Sequence, residues 1–490
     1  METGRMRPHL LVGDVFANGA RAAPNRTAVV HEDRALDFAT LDATANALAG
    51  RLGALGVGCG DRVATWASTT IELAPLFAAL AKIGAVYVPL SGLLGLEEVR
   101  DLAGWARPEV LVVDDPHATE ARRLPDTVLG LEELVAESGT SSGPIPRPTG
   151  LTGADPNVVF LTSGSSGRPK GVVLSHETNV LRSHPGALLE PRGDMVCPYP
   201  LFHMGAWTIA LQQWQARAGV VLVPPDASAI CEAVAASGAT RLNCIPAVWR
   251  RILAHVDANA RRHPLASLRF ADTGTSATPP DLLQAMAELL PGAHLRVVYG
   301  STEAGVVTCL EHADMFRKPG SCGLPAPGVE LRLAPDAEVE VRSTTMFDGY
   351  LDDPEATADA FAQGWYRTGD LGELDDEGYL SIVGRTGELI RTGGEAVAPA
   401  EVEAVLLELP SVADVAVVGV PDATWGEVVC AVVVAVGGTA PTAEAVRAHC
   451  RGRLAAYKHP RRVEVVEAIP RTPATGQVQR RLVAERLVGR

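Results

Sequence analysis

Residues Thr162–Gly171 read TSGSSGRPKG, directly after the apolar run Val158–Leu161 and directly before Val172 and Val173. Small hydroxyl and glycine residues gather backbone N–H groups and O–H donors around one point, and Lys170 adds a movable positive charge. That combination is a phosphate cradle. It is not of the Walker type, because no GxxxxGK[ST] spacing is present and no helix-forming segment follows at once. A Ser/Gly-rich stretch on its own is more often a linker, but a place between two strand-like runs argues against one.

Outward from this loop the chain alternates helical and strand patterns. Residues 38–55 and 71–83 carry apolar residues at helical spacing, while 62–67, 86–89 and 110–113 read as strands. Further α/β units follow at 219–223, 228–237, 241–245, 247–256, 268–272 and 295–299. Strands alternating with helices imply parallel crossovers and a layered α/β core. Residues 138–157, rich in Gly, Pro, Ser and Thr, read as a surface connector. From 338 to 384 the pattern changes to short strands and turns, a small β-rich subdomain. Beyond it comes a separate α+β unit whose helix starts at Pro399. The expected division is a domain of residues 1–384 and a second of 385–490.

Bulk properties exclude several roles. With 490 residues, 47% of them hydrophobic, the chain can bury the core of two or three domains. A formal charge of −15 discourages nonspecific nucleic-acid binding. Eight cysteines without a CxxC pair suggest neither a zinc site nor a disulfide framework, and fit a reducing cytoplasm. The longest apolar run, 428–436, is strand-sized, so no membrane insertion is expected.

In open α/β sheets ligands gather at the carboxyl ends of strands, and three such ends, at Thr162, Asp272 and Tyr299, carry Gly/Ser/Thr-rich sequence. In Tyr299–Gly305 a carboxylate, Glu303, stands beside a hydroxyl, Thr302, a pairing able to hold Mg²⁺ against phosphate; a turn with a solvated Glu and a core Tyr299 is the plainer alternative. In Asp272–Ser276, backbone exposed by Gly274 can line a flat base, or simply turn. Asp370, in a Gly-bounded turn of Gly364–Gly372, can accept hydrogen bonds from a ribose diol or cap its own backbone.

Together these motifs resemble the adenylate-forming superfamily, which includes acyl-CoA synthetases of the fatty-acid–CoA ligase type, adenylation domains of nonribosomal peptide synthetases, and luciferases. TSGSSGRPKG at 162, YGSTE at 299, GWYRTGD at 364, GR at 384, GGE at 393 and PRTPATG at 470 occur in that family's order. The resemblance implies a large N-terminal domain of layered α/β subdomains and a small mobile C-terminal domain. It implies that Thr162, Ser163, Gly164, Ser165, Ser166, Gly167 and Lys170 wrap the ATP phosphates. Gly274 and Tyr299 would flank the adenine, Thr275 and Gly300 would belong to the same nucleotide site, Thr302 would meet the α-phosphate, Glu303 would bind Mg²⁺, and Asp370 with Arg385 would hold the ribose. His203 matches a position beside the carboxylate pocket, although the residue alone reads as a satisfied core histidine. His203, Met204, Trp207, Ile245, Val248, Thr275 and Val306 correspond to the acyl pocket, with Trp207 expected to shorten it. Gly387 corresponds to the hinge, Gly393, Gly394 and Glu395 to a loop near the CoA tunnel, and Lys458 to a structural or CoA-side position. The implied substrates are a carboxylic acid, ATP and CoA, with Mg²⁺; the resemblance also admits a homodimer.

Two positions depart from the pattern. The family places a catalytic lysine after the glycine that closes its PRT motif, here PRTPATG, where this chain has Gln477. An amide donates a hydrogen bond but carries no charge to offset two approaching anions, so adenylation is expected to be slow. Three explanations stand: an engineered substitution, which the otherwise intact site favours; a natural enzyme using other groups; or a protein that has lost adenylation and kept nucleotide binding. Gly387 replaces the usual Asp or Lys at the hinge and leaves both sets of backbone torsions accessible. Acceptors other than CoA, a carrier protein or a nitrogen nucleophile, remain alternatives.

Overall fold

The computed structural model describes residues 10–124, 127–140, 143–163, 169–184, 193–258, 264–393, 395–438, 441–472 and 477–488; for residues 163, 169, 257, 258, 438 and 488 only the backbone is described.

Two sheets share the core of the large domain. The apolar runs flanking the Ser/Gly-rich stretch become strands Pro156–Ser163 and Pro169–Ser175, paired antiparallel with Thr162 opposite Lys170. They belong to a seven-stranded sheet continued by Val86–Ser91, Arg62–Ala67, Val110–Val113 and Val128–Gly130. A nine-stranded sheet holds Arg241–Cys244, Phe270–Gly274 and His294–Ser301 side by side in parallel. The three polar strand ends therefore fall on two sheets, Thr162 on one and Asp272 with Tyr299 on the other. Helix Leu73–Ile83 is apolar almost all round, and nearly every residue of it is buried, as a helix enclosed within a core must be. Helix Phe38–Ala54 opens on Asp37, whose carboxylate accepts from the Thr40 N–H at 2.7 Å, closing one of the unsatisfied donors at its first turn.

The β-rich subdomain begins earlier than its expected start at 338. Strand Val329–Leu333 pairs with Glu338–Ser343, which pairs with Trp365–Leu374; the alternating exposure of the first strand gave no long apolar run to read. Leu380–Arg385 closes this sheet against Trp365–Leu374. A new sheet then starts at Ile390–Thr392, built on the long hairpin Val412–Asp422 and Gly426–Ala435 and packed by helices Pro399–Leu406, Ala443–Cys450 and Arg480–Val488. All eight cysteines are free thiols. Among the described residues no helix is long and apolar enough to cross a membrane.

Candidate active site

The nine-stranded sheet and the β-rich sheet meet at one carboxylate. Tyr299, near the end of strand His294–Ser301, donates its hydroxyl to Asp370 Oδ2 at 2.7 Å, and Arg385 Nε donates to Asp370 Oδ1 at 2.6 Å. Asp370 and Arg385 are direct partners in the strand register. Asp370 thus lies within a strand rather than the expected turn, and its carboxylate binds across to other strands instead of capping its own backbone. Burial, reinforced by the Asp370 charge, pushes the Tyr299 hydroxyl well above its usual value, so it stays a donor. For Arg385, burial acts to lower the pKa, but the neighbouring carboxylates win and the net shift is upward.

Glu303 and Lys170 meet at a second tyrosine. The Tyr350 hydroxyl donates to Glu303 Oε1 at 3.1 Å, and Lys170 Nζ stands 4.4 Å from the centroid of the same ring. Tyr350 is brought there because Gly349–Tyr350 adds a short strand to Pro169–Ser175, with Tyr350 opposite Val172. Beneath them Arg182 donates to three main-chain carbonyls: Thr302 at 2.6 Å, Glu303 at 2.5 Å and Thr345 at 2.6 Å. Burial draws its guanidinium down to about 10, still charged at neutral pH. The Thr302 hydroxyl and Glu303 Oε2 have no partner among the described residues. A single free carboxylate oxygen beside a hydroxyl fits Mg²⁺, which takes one or two carboxylates and leaves its other positions to water and phosphate.

Gly274 and Gly300 sit where chains crowd: a Cβ at either would fall 2.1 Å from the carbonyl oxygen of Val298 or Gly305, respectively. Their smallness serves strand contact directly. Thr275, just beyond, has φ +71°, which for a β-branched residue is a strained conformation found mainly at functional sites. Its carbonyl accepts from Gln477 Nε2 at a long 3.5 Å. Gln477 is exposed, on a tight pairing in which Arg471 faces Val478 and the Gln477 N–H donates to Thr472 Oγ1 at 3.1 Å.

His203 caps helix Met204–Gln215: its Nδ1 accepts from the Gly205 N–H at 3.1 Å, which puts the ring proton on Nε2. Burial draws the imidazole down to about 4, so it is neutral and offers one donor. The Tyr199 ring stacks beside it at 6.2 Å. Met204 accepts from the Thr208 hydroxyl, and Ile245 and Val248 are core residues at 9% and 2% exposure. Trp207 is buried, packed against Phe77 at 4.4 Å and Tyr87 at 5.6 Å, with its N–H donating to the Leu201 carbonyl. Val306, by contrast, is exposed.

On the small domain Lys458 is bound by both oxygens of Glu401, at 2.5 and 2.7 Å. Gly393 packs under Trp425, and Glu395 is exposed in the strand opposite Thr392. Gly164, Ser165, Ser166, Gly167 and Gly394 lie outside the described residues, and of Ser163 only the backbone pairing to Pro169 is described. Tyr350 and Arg182 were missed from sequence: their partners lie 47 and 120 to 163 residues away, and none of the motifs read from the sequence includes either.

A family model described as "AMP-binding enzyme" matches residues 16–351, and one described as "AMP-binding enzyme C-terminal domain" matches 401–475. The long-chain-fatty-acid–CoA ligase FadD13 of Mycobacterium tuberculosis is 33% identical, covering 97% of this chain and 98% of its own. The indoleacetate–CoA ligase of Aromatoleum aromaticum is 34% identical, over 94% of this chain and 96% of its own. The o-succinylbenzoate CoA synthetase of Bacillus subtilis, solved with its acyl-adenylate intermediate, superposes with a TM-score of 0.86 at 27% identity, over 96% of this chain and 97% of that one.

Proposed function

Because the chain belongs to the AMP-binding enzyme family and is an AMP-forming acid–thiol ligase, we propose that its two domains divide the work of one site at the strand ends of the large domain. The ligase joins a carboxylic acid to CoA through an acyl-adenylate, consuming ATP. The acid attacks the α-phosphorus, pyrophosphate leaves, and the CoA thiol then displaces AMP. Two anions must meet in the first step, so the site has to screen charge and fix an in-line approach.

In this reading the loop 162–171 and Lys170 hold the phosphates, Thr302 donates to the α-phosphate, and the Tyr299–Asp370–Arg385 group receives the nucleoside. Glu303 would hold Mg²⁺, which neutralises phosphate charge when bound. His203, neutral with its proton on Nε2, donates to the acid's carboxylate. Gly384 and Arg385 mark the division between domains, and the small domain turns there between the half-reactions, bringing Gly393–Glu395 toward CoA. Eight free thiols favour work in a reducing cytoplasm.

The observation that carries this is Gln477, reaching across from the small domain to the carbonyl of strained Thr275. It is where a cation would screen adenylation, and it brings only an amide. Gln477→Lys is expected to raise pyrophosphate release with ATP, Mg²⁺ and a panel of acids by roughly 10²- to 10³-fold, the scale of one preorganised stabilising donor. Thioester formation from a supplied acyl-adenylate should not change. Equal pyrophosphate release in both forms would reject the role of position 477, AMP release independent of CoA would point to another acceptor, and no turnover in either would leave only nucleotide binding.

A further inference from the structure

We propose that Tyr350 is a positioning residue that holds Glu303 and Lys170 apart, keeping the carboxylate free for Mg²⁺ and the ammonium free for phosphate. The inference rests on the roles assigned to those two residues above. A lysine and a glutamate drawn to one tyrosine would ordinarily pair with each other, since opposite charges at contact attract even when partly solvated. They do not: no ion pair joins Lys170 to Glu303 among the described residues, and each instead contacts a different part of Tyr350. The hydroxyl donates to Glu303 Oε1 at 3.1 Å, and the ring face holds Lys170 Nζ at 4.4 Å from its centroid.

The chemistry of the two contacts differs in a useful way. A cation over an aromatic face is attracted by the ring's quadrupole, a weaker hold than a phosphate's charge offers. Lys170 is therefore retained yet easily surrendered to ATP. The phenol donor satisfies one carboxylate oxygen, orients the group, and leaves Oε2 open. Tyr350 is itself fixed: it is 9% exposed, its ring packs on Phe347 at 4.9 Å, and its N–H donates to Thr357 Oγ1 at 2.8 Å. Arg182 fixes the other partner by binding the Thr302 and Glu303 carbonyls.

Two variants of the full chain separate the contacts. Tyr350→Phe keeps the ring and removes the hydroxyl; Tyr350→Leu removes both. Calorimetric titration with ATP, once with Mg²⁺ and once with EDTA, reads each contact without requiring turnover. For Tyr350→Phe, ATP affinity should fall about tenfold in Mg²⁺, the scale of a hydrogen bond to a charged group, and stay unchanged in EDTA. Tyr350→Leu should lose affinity in both media, because Lys170 is then free to pair with Glu303. Thermal melts check that each variant is folded, and the phenylalanine form, nearly isosteric, decides the matter if the leucine form is not. Wild-type affinity of Tyr350→Phe in Mg²⁺, or an equal loss in EDTA, overturns the inference alone. Failure of the unmodified chain to bind ATP at all overturns the underlying site reading and the inference with it.

Discussion

Asp370 stands in the large domain and Gln477 in the small one, and they are held in opposite ways. Asp370 is 8% exposed, is fixed in strand register with Arg385, and receives donors on both oxygens. Gln477 is exposed and touches the large domain through one 3.5 Å contact. Asp370 is fixed by the sheets of the large domain, whereas Gln477 reaches across from the small domain by one long hydrogen bond. Lys458, its only lysine, is spent on Glu401 and cannot stand in at 477. Arg480 illustrates the same economy: it donates to Glu388 at 2.7 Å and to Glu403 at 2.6 and 3.0 Å. The turn Thr386–Glu388, immediately after Arg385, is thereby tied to the small domain at Glu388, while Thr386 Oγ1 donates to the Gly369 carbonyl of the large domain at 3.2 Å. A domain that turns after Arg385 would carry this turn with it.

The strongest way to break that picture is to cut the tie. Arg480→Met leaves Glu403, already pushed upward by burial, and Glu388 without their cation. The cluster is part-buried, so losing its cation costs less than the loss of a fully buried partner, about 2 kcal/mol. Urea unfolding should show the small domain melting earlier, with ATP binding by the large domain retained. A single unchanged transition would mean that the turn is held by the large domain after all.

Acid should load the large domain in particular. His176 is fully buried, accepts from the Val12 N–H at 3.3 Å through Nδ1, and has its imidazole drawn by burial from 6.5 down to about 4. The unfolded chain therefore binds the proton first. Stability is whole above pH 6.5 and drains as pH falls toward 4, by up to about 3 kcal/mol for this group. His203 adds a loss of the same sign. Denaturant midpoints taken between pH 7 and pH 4 should fall less in His176→Gln than in the unmodified chain; parallel curves would show that this ring is not the sensor.

What could be read beforehand follows from how each feature is encoded. The phosphate loop, Glu303 and Asp370 stand in short glycine-marked stretches beside apolar runs, so local composition announces them. The helix 73–83 and the long hairpin after 412 were legible for the same reason, as unbroken apolar segments of the right length. Tyr350, Arg182 and Arg480 act through partners distant in sequence, and no local pattern distinguishes a tyrosine that spaces two charges from one that fills a core. The cluster of Trp207 with Phe77, Tyr87 and Trp214 was likewise not legible, because it is a matter of three-dimensional packing alone.

The smallest expected effects separate two glycines of the small domain's attachment. Gly387, at the proposed hinge, has no atom within 4 Å of a built Cβ and no positive φ, so its freedom is not needed in this arrangement. Gly393 has φ +59°, and a Cβ there would meet the Trp425 ring at 2.7 Å. Gly387→Ala should leave stability within about 0.5 kcal/mol, while Gly393→Ala should cost about 1 kcal/mol or more, since alanine is strained at positive φ. The functional order should reverse if the hinge samples a second arrangement. Gly387→Ala would then slow thioester formation from a supplied acyl-adenylate while leaving ATP affinity and the melting point where they were. A Gly387→Ala form with unaltered thioester rates would show that rotation uses torsions open to any residue, and that glycine at 387 is incidental to the motion.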